Sequence, residues 1–134
     1  VYTALQTGII DGTENNETAL TTGMHGEICK FYSVDQHTMI PDVLVIATDT
    51  WEKLSEEDRQ LLIDTAKEST ENHIEKWEQA VAEAVETATN DMGVTFIEDV
   101  DKEAFRSATA DMIESYKSQY PKVGDVLEII NSVE

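Results

Sequence analysis

Apolar residues recur near the helical period at Leu62, Ala66, Ile74, Trp77, Val81, Ala84, Val85 and Ala88, with polar and charged residues on the turns between them. Just upstream, Ser55-Glu56-Glu57-Asp58 places a carboxylate three residues after a serine, as in a capping box. No Gly or Pro interrupts the chain between Leu54 and Gly93, so the pattern predicts a single helix from Ser55 to about Asn90. A helix of about 35 residues would be about 50 Å long, longer than a small domain is wide. Such a helix either zips into a coiled coil or bridges two lobes. Small alanines mixed with the large Trp77, and no sustained heptads, favour a bridge.

The remaining pattern is shorter in range. Val1 to Thr7 reads as the last turns of a helix stopped by Gly8. Asp11-Gly12 marks a turn, and the polar run Thr13-Glu14-Asn15-Asn16 follows it. Residues from about Glu17 to Phe31 read as helix, loosened near Gly23 and Gly26. Ser33 to Met39 alternates weakly and predicts a strand, which Pro41 ends. Asp42-Val43-Leu44-Val45-Ile46-Ala47 is the clearest buried strand in the pattern. Thr48 or Asp49 would cap a short helical turn through Trp51 and Leu54. Val94 to Ile97 predicts a short strand, Lys102 to Gln119 an amphipathic helix, and Lys122 to Asn131 a last helix opened by Pro121. The expected class is α/β, mostly helical, with a few short strands.

Charge narrows the function classes. The 134 residues carry 9 basic and 28 acidic side chains, a formal net charge of −19. So acidic a surface is unsuited to nucleic acid or to anionic membranes. With 40% of residues hydrophobic there is material for a core. The single cysteine, Cys29, forms no disulfide framework, and His25, His37 and His73 lack the spacing of a zinc motif. Asp11-x-Thr13-x-Asn15 starts like a calcium loop but has Asn16 where glycine is needed and Thr22 where the terminal glutamate belongs. No phosphate loop or nucleophile elbow occurs, and no cofactor is expected. Val1 opens inside a helical pattern, without an initiator Met or signal core, which reads as a C-terminal fragment.

Two stretches carry a resemblance. Ala4-Leu5-Gln6-Thr7-Gly8-Ile9-Ile10-Asp11-Gly12-Thr13-Glu14-Asn15 resembles the A-L-Q-x-G-x-x-D-G-x-E-N segment of extracytoplasmic solute-binding proteins of tripartite ATP-independent periplasmic (TRAP) transporters. Ile40-Pro41-Asp42-Val43-Leu44-Val45-Ile46 and Thr50-Trp51-Glu52-Lys53-Leu54-Ser55-Glu56-Glu57-Asp58 resemble that family's P-D-V-L-V-I-S and T-W-x-K-L-S-x-E-D, with Ala47 where serine is common. The long acidic helix and the Gly93-Val94 strand follow in the family's order, so the resemblance covers nearly the whole chain.

The resemblance implies the C-terminal part of a two-lobed periplasmic-binding-protein-like fold that closes over an organic acid. On that reading residues 1–40 are a ligand-lobe segment, 41–54 a returning strand and turn, 55–90 the bridging helix, and 91–134 a short strand and C-terminal helices. Asn15 matches the asparagine that hydrogen-bonds near the substrate carboxylate. Glu14 matches its neighbour and His37 a histidine of the returning strand, both in a polar, partly water-mediated shell. The family's clamp arginine has no counterpart, because Arg59 and Arg106 both lie in the helical second half. Asn15 suits its role, since an uncharged amide can hold a carboxylate or hydroxyl at low desolvation cost. Read without the resemblance, Asn15 and Asn16 simply close a turn, and His37 is a hinge histidine satisfied by its neighbours. Trp51 and Trp77 read as packing residues.

The implied function is a non-enzymatic, extracytoplasmic binding subunit that captures an organic acid for a TRAP transporter's membrane subunits. Glu14-Asn15-Asn16, His25-Gly26-Glu27 and Asp35-Gln36-His37-Thr38 look most like members that bind sugar acids such as hexuronates; a dicarboxylate is the second choice. The complete protein is expected to be a monomer, while exposed apolar surface on a fragment could drive self-association. Two rival readings are a helical dimerisation module without a small ligand and a hydrolase using clustered carboxylates.

Overall fold

A computed structural model describes residues 1–133. The chain forms two compact units, one of residues 1–33 and 38–97, the other of residues 34–37 and the chain from Glu98 onward.

In the first unit, α1 (Tyr2–Gln6) ends at Gly8, whose φ of 71° is the left-handed conformation of a helix stop. The Tyr2 hydroxyl donates to Glu27 Oε2 at 2.6 Å, and the carboxylate raises the phenol's pKa. Helix α2 (Thr18–Thr22) is followed by a left-handed Met24, φ 58°, and a 3₁₀ turn at His25–Glu27. The predicted helix from Glu17 to Phe31 is therefore two short pieces, and Phe31 already belongs to strand β1 (Phe31–Ser33). A brief helix α3 (Thr48–Trp51) precedes α4 (Glu56–Asn90). The residue before α3 is Ala47, so neither Thr48 nor Asp49 caps it.

The long helix forms as its pattern predicts, over 35 residues. Ser55 Oγ accepts from Asp58 N at 3.1 Å and donates to the Asp58 carboxylate at 2.7 Å. Glu56, Glu57 and Asp58 place negative charge in the first turn, where the helix dipole favours it. Arg59 reaches back to Trp51 O at 2.9 Å and Glu52 O at 3.0 Å, with its guanidinium 5.6 Å from the Trp51 ring centre. Trp51 thus packs at the helix entrance. Trp77 stays 42% exposed beside the His73 ring, so it is not a core residue within this chain.

Past α4, Gly93 at φ 69° turns the chain into β2 (Thr95–Ile97), which pairs in parallel with β1 in the register Phe31–Thr95, Tyr32–Phe96, Ser33–Ile97. Parallel strands need a long crossover, and α4 lies on the connection that supplies it. The small core joins Leu20, Ala88 and Val94, with Tyr32, Met92 and Phe96 against them. Alanine at 84 and 88 lets α2 approach α4 closely. Lys30 ties the layer together, its ammonium donating to Gly26 O and Met92 O, each at 2.8 Å.

Two predicted strands do not form. Ser33–Met39 has no ladder beyond Ser33, and Asp42–Ala47 is irregular and exposed, with Leu44 at 85% and Val45 at 80%. A strand exists only through a neighbour's N–H and C=O groups, and among the described residues β1 and β2 are the only strands and pair with each other. An apolar run records the wish for burial, not the partner.

In the second unit, α5 (Lys102–Gln119) and α6 (Pro121–Asn131) form as predicted. Asp101 caps α5 by accepting from Ala104 N at 3.0 Å, and Pro121 opens α6 where no N–H is needed. The helices pack against each other, with the Tyr116 and Tyr120 rings stacked 6.2 Å apart at their junction.

Candidate functional site

The polar run after α1 has no regular structure, and Glu14 and Asn15 are exposed on it. Local bonds shape the loop. Asn15 Oδ1 accepts from Asn16 N at 2.9 Å, and Asn16 Oδ1 accepts from the Thr18 hydroxyl at 2.6 Å, just before α2 begins. One long-range bond anchors it: the Tyr32 hydroxyl donates to Asn15 O at 2.9 Å. Tyr32 is itself held on β1 against the Phe96 ring of β2, centroids 5.1 Å apart. The loop that carries Asn15 therefore hangs from the two-stranded sheet, and its position depends on the core.

Beside the loop lies an open cavity of about 480 Å³. Leu5, Leu20 and Ile28 form apolar lining, and Asn15, Asn16 and Lys30 polar lining. Asn15 there presents an amide able to donate and accept without charge. Lys30 is the only basic residue in the first fifty, but its ammonium is engaged by two backbone carbonyls. Sequence reasoning missed Tyr32 and the engagement of Lys30, because Tyr32 bonds to Asn15, 17 positions away, and one of the two carbonyls that hold Lys30 is that of Met92, 62 positions away.

His37 belongs to the second unit, whereas Glu14 and Asn15 belong to the first. Its Nδ1 lies 2.9 Å from Asp35 Oδ1. That hydrogen bond, above all, holds the Asp35 carboxyl below its ordinary range. A lowered carboxylate pKa contributes stability above the ordinary value and loses it as pH falls through the lowered one. Both side chains are substantially exposed, so the contribution is small. Arg106 is likewise no clamp; it meets Glu103 at 3.5 Å on the surface of α5. Among the described residues, no three His, Cys, Asp or Glu side chains converge on a possible metal position.

The profile of the bacterial extracellular solute-binding proteins, family 7, matches residues 1–119. The chain belongs to this family. A solute-binding protein of Chromohalobacter salexigens is 31% identical over 134 residues, covering 100% of this chain and 40% of that protein. Among solved structures, a TRAP periplasmic solute-binding protein of Anaerococcus prevotii with bound D-glucuronate is 41% identical with a TM-score of 0.88, covering 98% of this chain and 42% of that one. A relative from Sulfitobacter with bound β-D-galacturonate is 31% identical with a TM-score of 0.83, covering 92% and 41%. The chain thus spans about two-fifths of the length of these family 7 relatives. Its mostly helical α/β architecture is that of TRAP periplasmic binding proteins, and no helix among the described residues is long and apolar enough to cross a membrane.

Proposed function

We propose that this chain is part of an extracytoplasmic substrate-binding subunit of a TRAP transporter that captures a hexuronate and delivers it to the transporter's membrane subunits. The observation that carries the reading is the match, over nearly the whole chain, to two solved relatives holding different hexuronates. Two epimeric ligands on one scaffold favour the class of sugar acids over a single sugar. A dicarboxylate is the alternative ligand. The protein acts by binding and closure, without catalysis: a ligand favours the closed state through contacts that only that state offers.

Asn15 is the proposed polar anchor, with Glu14 and His37 in the surrounding shell. Residues 1–40 would serve a ligand lobe, and α4 would bridge lobes in a protein of the relatives' length. Glu14 must meet a hydroxyl, a cation or water, since an ionised carboxylate repels the ligand's own. The test is calorimetric titration of the complete protein with D-glucuronate, D-galacturonate and dicarboxylates. Hexuronates should bind most tightly, and Asn15→Ala should weaken them by about 1–3 kcal/mol, the cost of leaving a desolvated polar partner unpaired. Unchanged affinity in a folded Asn15→Ala protein would remove Asn15 from the site. Preference for a dicarboxylate would overturn the ligand class.

A further inference from the structure

His25 lines the cavity beside the Asn15 loop, in the 3₁₀ turn that follows the left-handed Met24. At 8% exposure it is the one buried polar or charged residue among the described residues. Its imidazole has no hydrogen-bond partner among them. Yet no side-chain nitrogen or oxygen there is both sealed off and unpartnered, so the ring nitrogens still open on accessible space. Gly23 helps to keep them open, since a Cβ at that position would stand 3.1 Å from His25 Nε2. Buried polar groups are as a rule hydrogen-bonded, and a buried ring with two idle nitrogens is short of a partner. The cavity that His25 lines is where such a partner can sit.

We infer that His25 is a ligand contact that selects for sugar acids: from the wall of the cavity, its imidazole exchanges a hydrogen bond with a hydroxyl of the ligand. The inference rests on the proposed place of Asn15 in the ligand site. A neutral imidazole has one N–H donor and one acceptor nitrogen. A hydroxyl can answer either of them, whereas a carboxylate only accepts. Asp11 lines the same cavity, so an anionic group is the poorer guest there, and the Lys30 ammonium is already held by two carbonyls. The apolar lining from Leu5, Leu20 and Ile28 suits the C–H faces of a sugar ring, and the volume is of the size that takes a small ligand. A ligand without hydroxyls, such as glutarate, would leave the imidazole buried and idle. A polar site rejects in that way an analogue that lacks its partner group.

The test uses the complete protein. His25→Phe keeps a buried ring and removes both nitrogens, so by calorimetry it should bind D-glucuronate about tenfold more weakly. The loss should also be selective. Against a set of D-glucuronates that each lack one hydroxyl, at least one analogue should bind the variant and the wild type alike, because the group that His25 meets is gone. The same loss against every analogue would mean that phenylalanine only disturbs the packing, and would overturn the inference. In the wild type, the NMR resonances of the His25 ring nitrogens should move as D-glucuronate saturates the protein. Unmoved resonances would overturn the inference, and this readout holds whether or not His25→Phe folds. If Asn15→Ala loses D-glucuronate while His25→Phe binds it as the wild type does, His25 leaves the site and the proposed function stands. If the wild-type protein binds no hexuronate, the proposed ligand class fails and takes the inference with it.

Discussion

At the scale of single residues, the resemblance singles out Asn15 as a candidate, but what holds its loop is not legible in the sequence. Tyr32 holds the Asn15 carbonyl from β1, 17 positions away. Tyr32→Phe keeps the ring against Phe96 and removes the donor. It should therefore weaken D-glucuronate binding by less than Asn15→Ala does, about 0.5–1.5 kcal/mol, measured by the same calorimetry. Gly26 is a second residue whose reason is tertiary. A Cβ there would sit 2.6 Å from Met92 Sδ and 3.2 Å from Leu20 O. The methionine end can swing aside, but the backbone carbonyl yields little. Gly26→Ala should cost about 1 kcal/mol by overpacking, read as a lower urea midpoint with an unchanged slope.

At the scale of elements, the helices with local signals are legible and the rest are not. α4 announces itself by the Ser55 cap, a helical period and the stop at Gly93, and α5 and α6 by their periods and by Pro121 between them. Ser55→Ala should remove about 1 kcal/mol from α4, seen as faster amide exchange in its first turns. The burial of α4 is uneven: Ala84 and Ala88 are buried near its end, while Leu61, Leu62 and Ile74 stay exposed. Amides near residues 84–90 should therefore exchange more slowly than those near 61–75. Retained protection along the earlier stretch would mean that further surface covers it. Strands are the opposite case. β1 lies at Phe31–Ser33, earlier than its predicted start, because its register with Thr95–Ile97 decides where it begins. Asp42–Ala47 has the better strand composition and forms none, since β-propensity describes fit to a partner surface.

At the scale of the whole molecule, charge opposes the proposed ligand. Residues 1–50 hold Asp11, Glu14, Glu17, Glu27, Asp35, Asp42 and Asp49 against Lys30 alone, and Lys30 is bound to carbonyls. A carboxylate leaving water needs a fixed cation or several charge-assisted donors, and a bidentate arginine is the strongest single source. Arg59 is committed to the entrance of α4 and Arg106 lies on the surface of α5. These 134 residues by themselves should bind D-glucuronate weakly or not at all, even at low salt. Micromolar affinity in a titration of the isolated chain would show that Asn15 and His37 suffice without an arginine.

The sequence by itself determined whatever is decided within a few residues: the caps, lengths and order of the long helices, the turn at Gly8 and the polar E-N loop. It also set a net charge of −19, to which a phosphate backbone is an unsuited partner, and it carried the motifs of the solute-binding family. Tertiary structure alone decided which apolar run becomes a strand, where β1 starts, and that Lys30 spends its charge on backbone carbonyls. It also decided that Tyr32 holds Asn15 and that Asp35 faces His37 across the left-handed Gln36. The physical reason is range. Helix hydrogen bonds close between residues four apart, so their signals sit side by side in the chain. Sheet ladders, anchoring side chains and ring orientation depend on a partner whose position only the folded chain supplies.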